Sequence, residues 1–187
     1  MSTLPNTTSI ANADREKLLD LLRETRERFL RSFAGVSDEQ SRKRPAEGCW
    51  SVLDTVEHMA LAETFMLETL TQRRRPRPAG APNREALILE RAADRSNRFE
   101  SPELARPTGR FPTLEAAKKQ FETSRAGAIS FVEESKEDLR ATEVTHPHPR
   151  VGDVSAYEML IIIAKHAERH ALQIDEIKNT LSLRGES

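Results

Sequence analysis

Apolar residues recur at three- and four-residue steps along four long stretches of this chain, with polar residues filling the positions between them. Leu18, Leu22, Thr25, Phe29 and Phe33 make the first stripe, which predicts a helix from about Asn12. Gly35 stands where such a helix usually stops. Residues 1–11 carry Thr, Ser, Asn and one proline without a period and are expected to form a disordered tail. Ser37 and Gln40 have the spacing of a capping box and open a short turn, which Pro45 and Gly48 then interrupt. Ser51, with Asp54 three residues on, opens the second helix. Val52, Val56, Met59, Glu63, Met66 and Leu70 form one stripe on it, and Thr55, His58, Ala62 and Phe65 form the stripe beside it. The helix ends near Arg73-Arg74-Arg75, ahead of Pro76 and Pro78.

Residues 76–112 read as a long connection, helical over 84–95 and interrupted by Pro102, Pro107, Gly109 and Pro112. The third helix is expected from Thr113 to about Leu139, with Leu114, Ala117, Phe121, Ala128 and Phe131 or Val132 inward. His146-Pro147-His148-Pro149 must be loop, because a proline pushes the residue before it toward extended geometry. Ser155 and Glu158 form a further capping box, and the fourth helix runs from there to about Leu181. Alternating β-branched stretches are almost absent. The expectation is an all-α domain, an up-and-down four-helix bundle over residues 12–182, with a long, partly helical connection between helices two and three.

Charge narrows the partners. The 29 basic residues nearly cancel the 30 acidic ones, which leaves no broad positive field for nucleic acid or an anionic membrane. The basic runs Arg42-Lys43-Arg44 and Arg73-Arg74-Arg75 lack interleaved aromatics and read as solvated charge. No apolar run is long enough to span a bilayer, and the first residues do not resemble a secretion signal. With a single cysteine, Cys49, a cytoplasmic address is expected. Cys49 is either a reactive thiol at a helix start or a small buried residue beside Trp50, and the second reading is favoured. A homodimer is compatible with such a bundle.

The chemistry lies in the histidines. The inward face of the fourth helix reads Met159, Ile163, His166, His170, Ile174, Ile177 and Leu181, so two histidines interrupt an apolar seam at its middle. Residues four apart have Cβ atoms about 5–6 Å apart, so both imidazoles can reach one ion. Two desolvated imidazoles are costly without partners, whereas a metal takes one nitrogen of each. Such a pair also arises by chance. The segment His166-Ala167-Glu168-Arg169-His170 is not the His-Glu-x-x-His of zinc proteases, and Glu168 lies about 200° around the helix from His166. His58 stands on the second helix where an apolar side chain would pack. Alone it reads as a boundary histidine; with the pair it makes a three-nitrogen site with open positions, as catalytic divalent transition metals favour. Glu63 falls on a core stripe and could orient a ligand or act as a base, but pairing with an arginine of a neighbouring helix is favoured. His146 and His148 are poor candidates for ligands and belong to a surface loop, at most lining an entrance.

The run Gly48-Cys49-Trp50-Ser51 through Val56-Glu57-His58-Met59-Ala60-Leu61-Ala62-Glu63 resembles the second-helix signature of the DinB-like superfamily, with a histidine seven residues after the serine. His166-Ala167-Glu168-Arg169-His170-Ala171-Leu172-Gln173-Ile174 is similar to its fourth-helix signature. The resemblance covers about residues 12 to 182. It implies a four-helix bundle holding nickel, zinc or a similar ion on His58, His166 and His170. The family contains thiol-dependent transferases, so the resemblance implies a metal-dependent enzyme of the thiol S-transferase or hydrolase type. Its partner would be a small-molecule substrate such as a low-molecular-weight thiol. The alternative is a non-catalytic metal-binding or stress-related module. No catalytic residue is named by either reading. Three protein ligands favour chemistry, whereas a fourth, from Glu63 or a loop histidine, would close the site.

Overall fold

Helix starts follow caps that the sequence spells out. In Ser51–Asp54 and Ser155–Glu158 each serine hydroxyl accepts from the backbone N–H three residues on, and the acidic side chain returns the bond. Thr113 caps the third long helix through Ala116 N. The computed structural model describes residues 7–96 and 100–182, with residues 7–11 by backbone alone. Along it run α1 (Thr7–Ser32), α2 (Asp38–Ser41), α3 (Val52–Gln72), β1 (Arg75–Pro76), α4 (Glu85–Arg91) and a 3-10 turn (Glu103–Ala105). Then come α5 (Leu114–Glu134), β2 (Thr142–Thr145), β3 (Asp153–Ser155) and α6 (Ala156–Thr180).

The boundaries differ from expectation in three places. Helix α1 begins at Thr7, so it takes in the last part of the expected tail, whose residues 1–6 lie outside the described ones. No proline or glycine stands between Thr7 and Asn12 to stop it. Helix α5 ends at Glu134, short of Leu139, where the Arg15 guanidinium donates to the carbonyls of Val132 and Ser135 and turns the chain out. Leu139 is buried all the same, and its carbonyl accepts from Tyr157 N. A small antiparallel sheet, β1-β2-β3, was not legible in the pattern. Its strands are too short to show alternation, and Val144 paired with Val154 is its one buried apolar pair.

The expected four-helix bundle is observed, with a more particular winding than a plain up-and-down one. Helix α1 packs on α5 and α6, and α3 packs on the same two, so α1 and α3 stand diagonally although they are successive in the chain. Arg15 meets the end of α5 while Phe29 meets Phe121 nearer its start, so α1 and α5 are antiparallel. Gln120 meets Thr64 and Arg74 lies over Phe131, so α3 and α5 are parallel. A parallel neighbour requires the chain to return the length of the bundle, about 30 Å for a helix of this size. The connection from β1 through α4 and the 3-10 turn makes that return. The little sheet closes the end where α3 and α5 stop and α6 begins.

Two buried carboxylates hold the frame. Arg125, fully buried on α5, spends all five N–H groups. Two go to the Glu63 carboxylate on α3, two to Leu22 O and Thr25 Oγ1 on α1, and one to Ile163 O on α6. One guanidinium thereby ties all four long helices. Burial pushes the Glu63 carboxyl up and Arg125 pulls it back. Glu57, near the start of α3, accepts the backbone N–H groups of Thr108, Gly109 and Arg110 at 2.8, 3.1 and 3.0 Å. Gly109 takes φ +76° there, a left-handed turn that glycine adopts without strain. That pin fixes the returning connection against α3 and sets the 3-10 turn beside His58.

Candidate metal centre

The structure brings together the three histidines singled out by spacing. His58 comes from the second turn of α3, and His166 and His170 from successive turns of α6, which packs antiparallel against it. One nitrogen of each lies within 4.8 Å of the others. His166 Nε2 is 3.4 Å from His58 Nε2 and 3.0 Å from His170 Nε2.

The remaining nitrogens decide the tautomers. His58 Nδ1 lies 2.7 Å from Ala105 O, a carbonyl that can only accept, so Nδ1 carries the proton and Nε2 a lone pair. Ser101 Oγ stands 3.3 Å from the same nitrogen. His170 Nδ1 lies 2.8 Å from Gln173 Oε1, and that oxygen also accepts from Arg95 Nη1 at 3.2 Å. Arg95 is itself held by Glu176. The arginine fixes the amide's orientation, so His170 too donates from Nδ1 and turns a lone pair inward. Both lone pairs face His166 Nε2, which can donate to only one of them at a time. A cation satisfies all three. Nitrogens at zinc-like bond lengths in a tetrahedral arrangement are about 3.3–3.4 Å apart; the His58–His166 separation of 3.4 Å matches that, and the His166–His170 separation of 3.0 Å is a little shorter. The donor set therefore suits a divalent transition metal. His166 Nδ1 is enclosed and has no hydrogen-bond partner among the described residues.

Burial keeps the rings neutral, the form a metal needs. It lowers His58 to about 4, with the Ala105 carbonyl pulling partly back. His166 and His170 fall well below the usual imidazole range, first through burial and then through the charge of a neighbouring imidazole, His58 for His166 and His166 for His170. His58 and His170 are nearly inaccessible, whereas His166 is half-buried, with its Nδ1 enclosed. Trp50 packs over the group, its ring 4.9 Å from His58 and near-parallel to His170 at 6.4 Å.

The other candidates fall outside. Glu63 is committed to Arg125, the arginine partner expected for it, and offers neither a base nor a fourth ligand. Glu168 pairs with Lys165. His146 and His148 are not in the cluster. His146 lies close enough that its charge would disfavour one on His166, and its own ring is lowered to about 4 by burial. Cys49 is half-buried and unbridged. The basic runs are largely committed: Arg42 donates to Pro112 O, Arg44 pairs with Asp54, and Arg75 with Glu143 and Asp153. No helix among the described residues is long and apolar enough to cross a membrane. Pattern reading missed Glu57, Trp50, Gln173 and Ala105 as supports of the site. Gln173 three residues after His170 was the available signal, since i and i+3 share a helix face.

Fold and site together define a helical bundle with a three-imidazole centre between its second and fourth long helices. The family model of the DinB superfamily matches residues 21–174, and the chain belongs to that superfamily. It is 24% identical over 163 residues to the uncharacterized protein YuaE of Bacillus subtilis, covering 87% of this chain and 98% of YuaE. Among solved structures it is similar to a conserved protein of Enterococcus faecalis, with a TM-score of 0.60 at 16% identity, over 97% of this chain and all of that one. YfiT of Bacillus subtilis, described as a probable metal-dependent hydrolase with an unusual four-helix bundle topology, is similar at a TM-score of 0.51 and 15% identity. That likeness covers 97% of this chain and 93% of YfiT.

Proposed function

We propose that the protein is a metal-dependent enzyme of the hydrolase or thiol S-transferase type, with a nickel or zinc ion on His58, His166 and His170. The observation that carries this reading is the convergence of three Nε2 atoms, two of whose lone pairs are aimed by hydrogen bonds at the opposite edge of the ring. A divalent transition metal held by three imidazoles supplies a Lewis acid with open positions, on which water or a thiol ionises near neutral pH. The chain's own part is to position and to exclude. Ala105 O and Gln173 Oε1 hold the rings in register, and Trp50 shields them from water on one side. No fourth ligand joins the three among the described residues, which favours chemistry over a closed structural site. The description of YfiT as a probable metal-dependent hydrolase supports the hydrolytic arm.

Cobalt substitution separates the arms. Cobalt-loaded protein is expected to show a visible spectrum that changes on adding a small nucleophile. A new intense charge-transfer band with 2-mercaptoethanol favours thiol transfer; a shift with azide or acetate but none with thiols favours hydrolysis. A spectrum indifferent to both contradicts the enzyme reading and leaves a binding module.

A further inference from the structure

Beyond the imidazoles, one cleft has the size and the chemistry of a ligand site. It has a volume of about 510 Å³ and opens between the C-terminal half of α3, the 3-10 turn and the loop joining β2 to β3. That is ample for a small organic molecule. Phe65 and Thr69 form its floor and continue the face of α3 that carries His58, so the floor begins about 10 Å along the axis from that ring. The 3-10 turn is a shared wall. Pro102 and Leu104 line the cleft, while Ala105 at the end of the same turn holds His58 Nδ1.

The lining combines apolar walls with two uncommitted charges of opposite sign. Leu104 and Pro147 supply the walls above the Phe65 floor, and Leu104 is 58% exposed. Arg73 and Glu103 both line the cleft, and neither has an ion-pair partner among the described residues, whereas Arg75 beside them is taken by Glu143 and Asp153. Arg73 and Glu103 do not pair with each other. A third feature is His146, which also lines the cleft. The backbone N–H of His148 donates to its Nδ1 at 3.0 Å, which leaves the ring proton on Nε2. That N–H is enclosed and has no acceptor among the described residues.

We infer that this cleft binds a small zwitterion with an apolar body, such as an apolar amino acid or a dipeptide, its carboxylate toward Arg73 and its ammonium toward Glu103. An anion alone would meet the Glu103 carboxylate, and a cation alone would meet the guanidiniums. Such binding deepens the enzyme reading by naming a substrate class, and depends on that reading only for the chemistry that a bound molecule then undergoes. The cleft contains none of the three imidazoles, so binding is tested apart from the metal.

The test uses metal-free protein and three probes, phenylalanine, phenylalanine amide and N-acetylphenylalanine, with amide chemical shifts in ¹H–¹⁵N spectra as the readout. Phenylalanine is expected to shift the amides of Phe65, Thr69 and Leu104. Each analogue, having lost one charge, should bind about fivefold or more weakly, the scale of one partly exposed ion contact. Arg73→Gln should erase the preference over the amide, and Glu103→Gln the preference over the N-acetyl compound. Both residues are exposed, so both variants should fold. Equal affinity for all three probes, shifts confined to other regions, or preferences unchanged in the variants overturn the inference. So does phenylalanine binding that requires added zinc and vanishes in the triple His58, His166, His170→Ala variant, since it would then be ligating the ion. That last outcome leaves the metal reading intact.

Discussion

Each imidazole of the centre is neutral because burial makes charging it costly, and this has a consequence for stability. His58 titrates at about 4 in the folded chain against 6.5 when unfolded. Between those values the unfolded chain binds a proton that the folded one refuses, so stability falls as pH falls from 6.5 toward 4. For His58 alone the full loss is about 3 kcal/mol, and His166 and His170 act in the same direction. Urea unfolding of metal-free protein at pH 7 and pH 5 should show the larger part of this loss, about 2 kcal/mol from His58, with a shallower dependence in His58→Gln. Equal slopes for wild type and variant would show that the ring is solvated. The Glu63–Arg125 pair makes a second claim at this scale. Arg125→Met leaves a carboxylate buried without its partner and should destabilise by about 3–5 kcal/mol. A loss under about 1 kcal/mol would mean that water reaches Glu63.

Among the elements, the helices and their caps were legible because a 3.6-residue period and a Ser-x-x-acid box act locally. The strands were not, since two to four residues cannot display a period. Arg125 could have been found: it stands four residues after Phe121 and three before Ala128, on the inward stripe of α5. The connection was legible as long but not as a support. Glu57 binds it to α3, and through Ala105 that contact reaches His58 Nδ1. Glu57→Ala should therefore weaken metal binding about tenfold, as losing the support of a ligand histidine does. Trp50, the chain's single tryptophan, lies against His58 and His170 and reports this directly. Nickel should quench its fluorescence, and the quenching midpoint should move to higher nickel in Glu57→Ala. An unmoved midpoint would mean that the 3-10 turn is held in place without Glu57.

At the scale of the whole molecule, the period of a helix says which face is buried but not which neighbour buries it. Hence the sequence supported a bundle without disclosing that α3 and α5 run parallel and α1 and α3 lie diagonally. The length of the 76–112 stretch was the one hint, since a short loop cannot join parallel neighbours. The winding matters to the site. It sets α3 against α6 in antiparallel contact, so that His58 meets the middle of α6 where the histidine pair interrupts the seam. That meeting is the central claim, and metal content tests it most directly. Protein purified without a metal-affinity column, exposed to nickel or zinc and desalted, should retain about one ion per chain by elemental analysis. The triple His58, His166, His170→Ala variant, shown to be helical by circular dichroism, should retain close to none. Near-stoichiometric metal in that variant, or none in the wild type, would contradict the account.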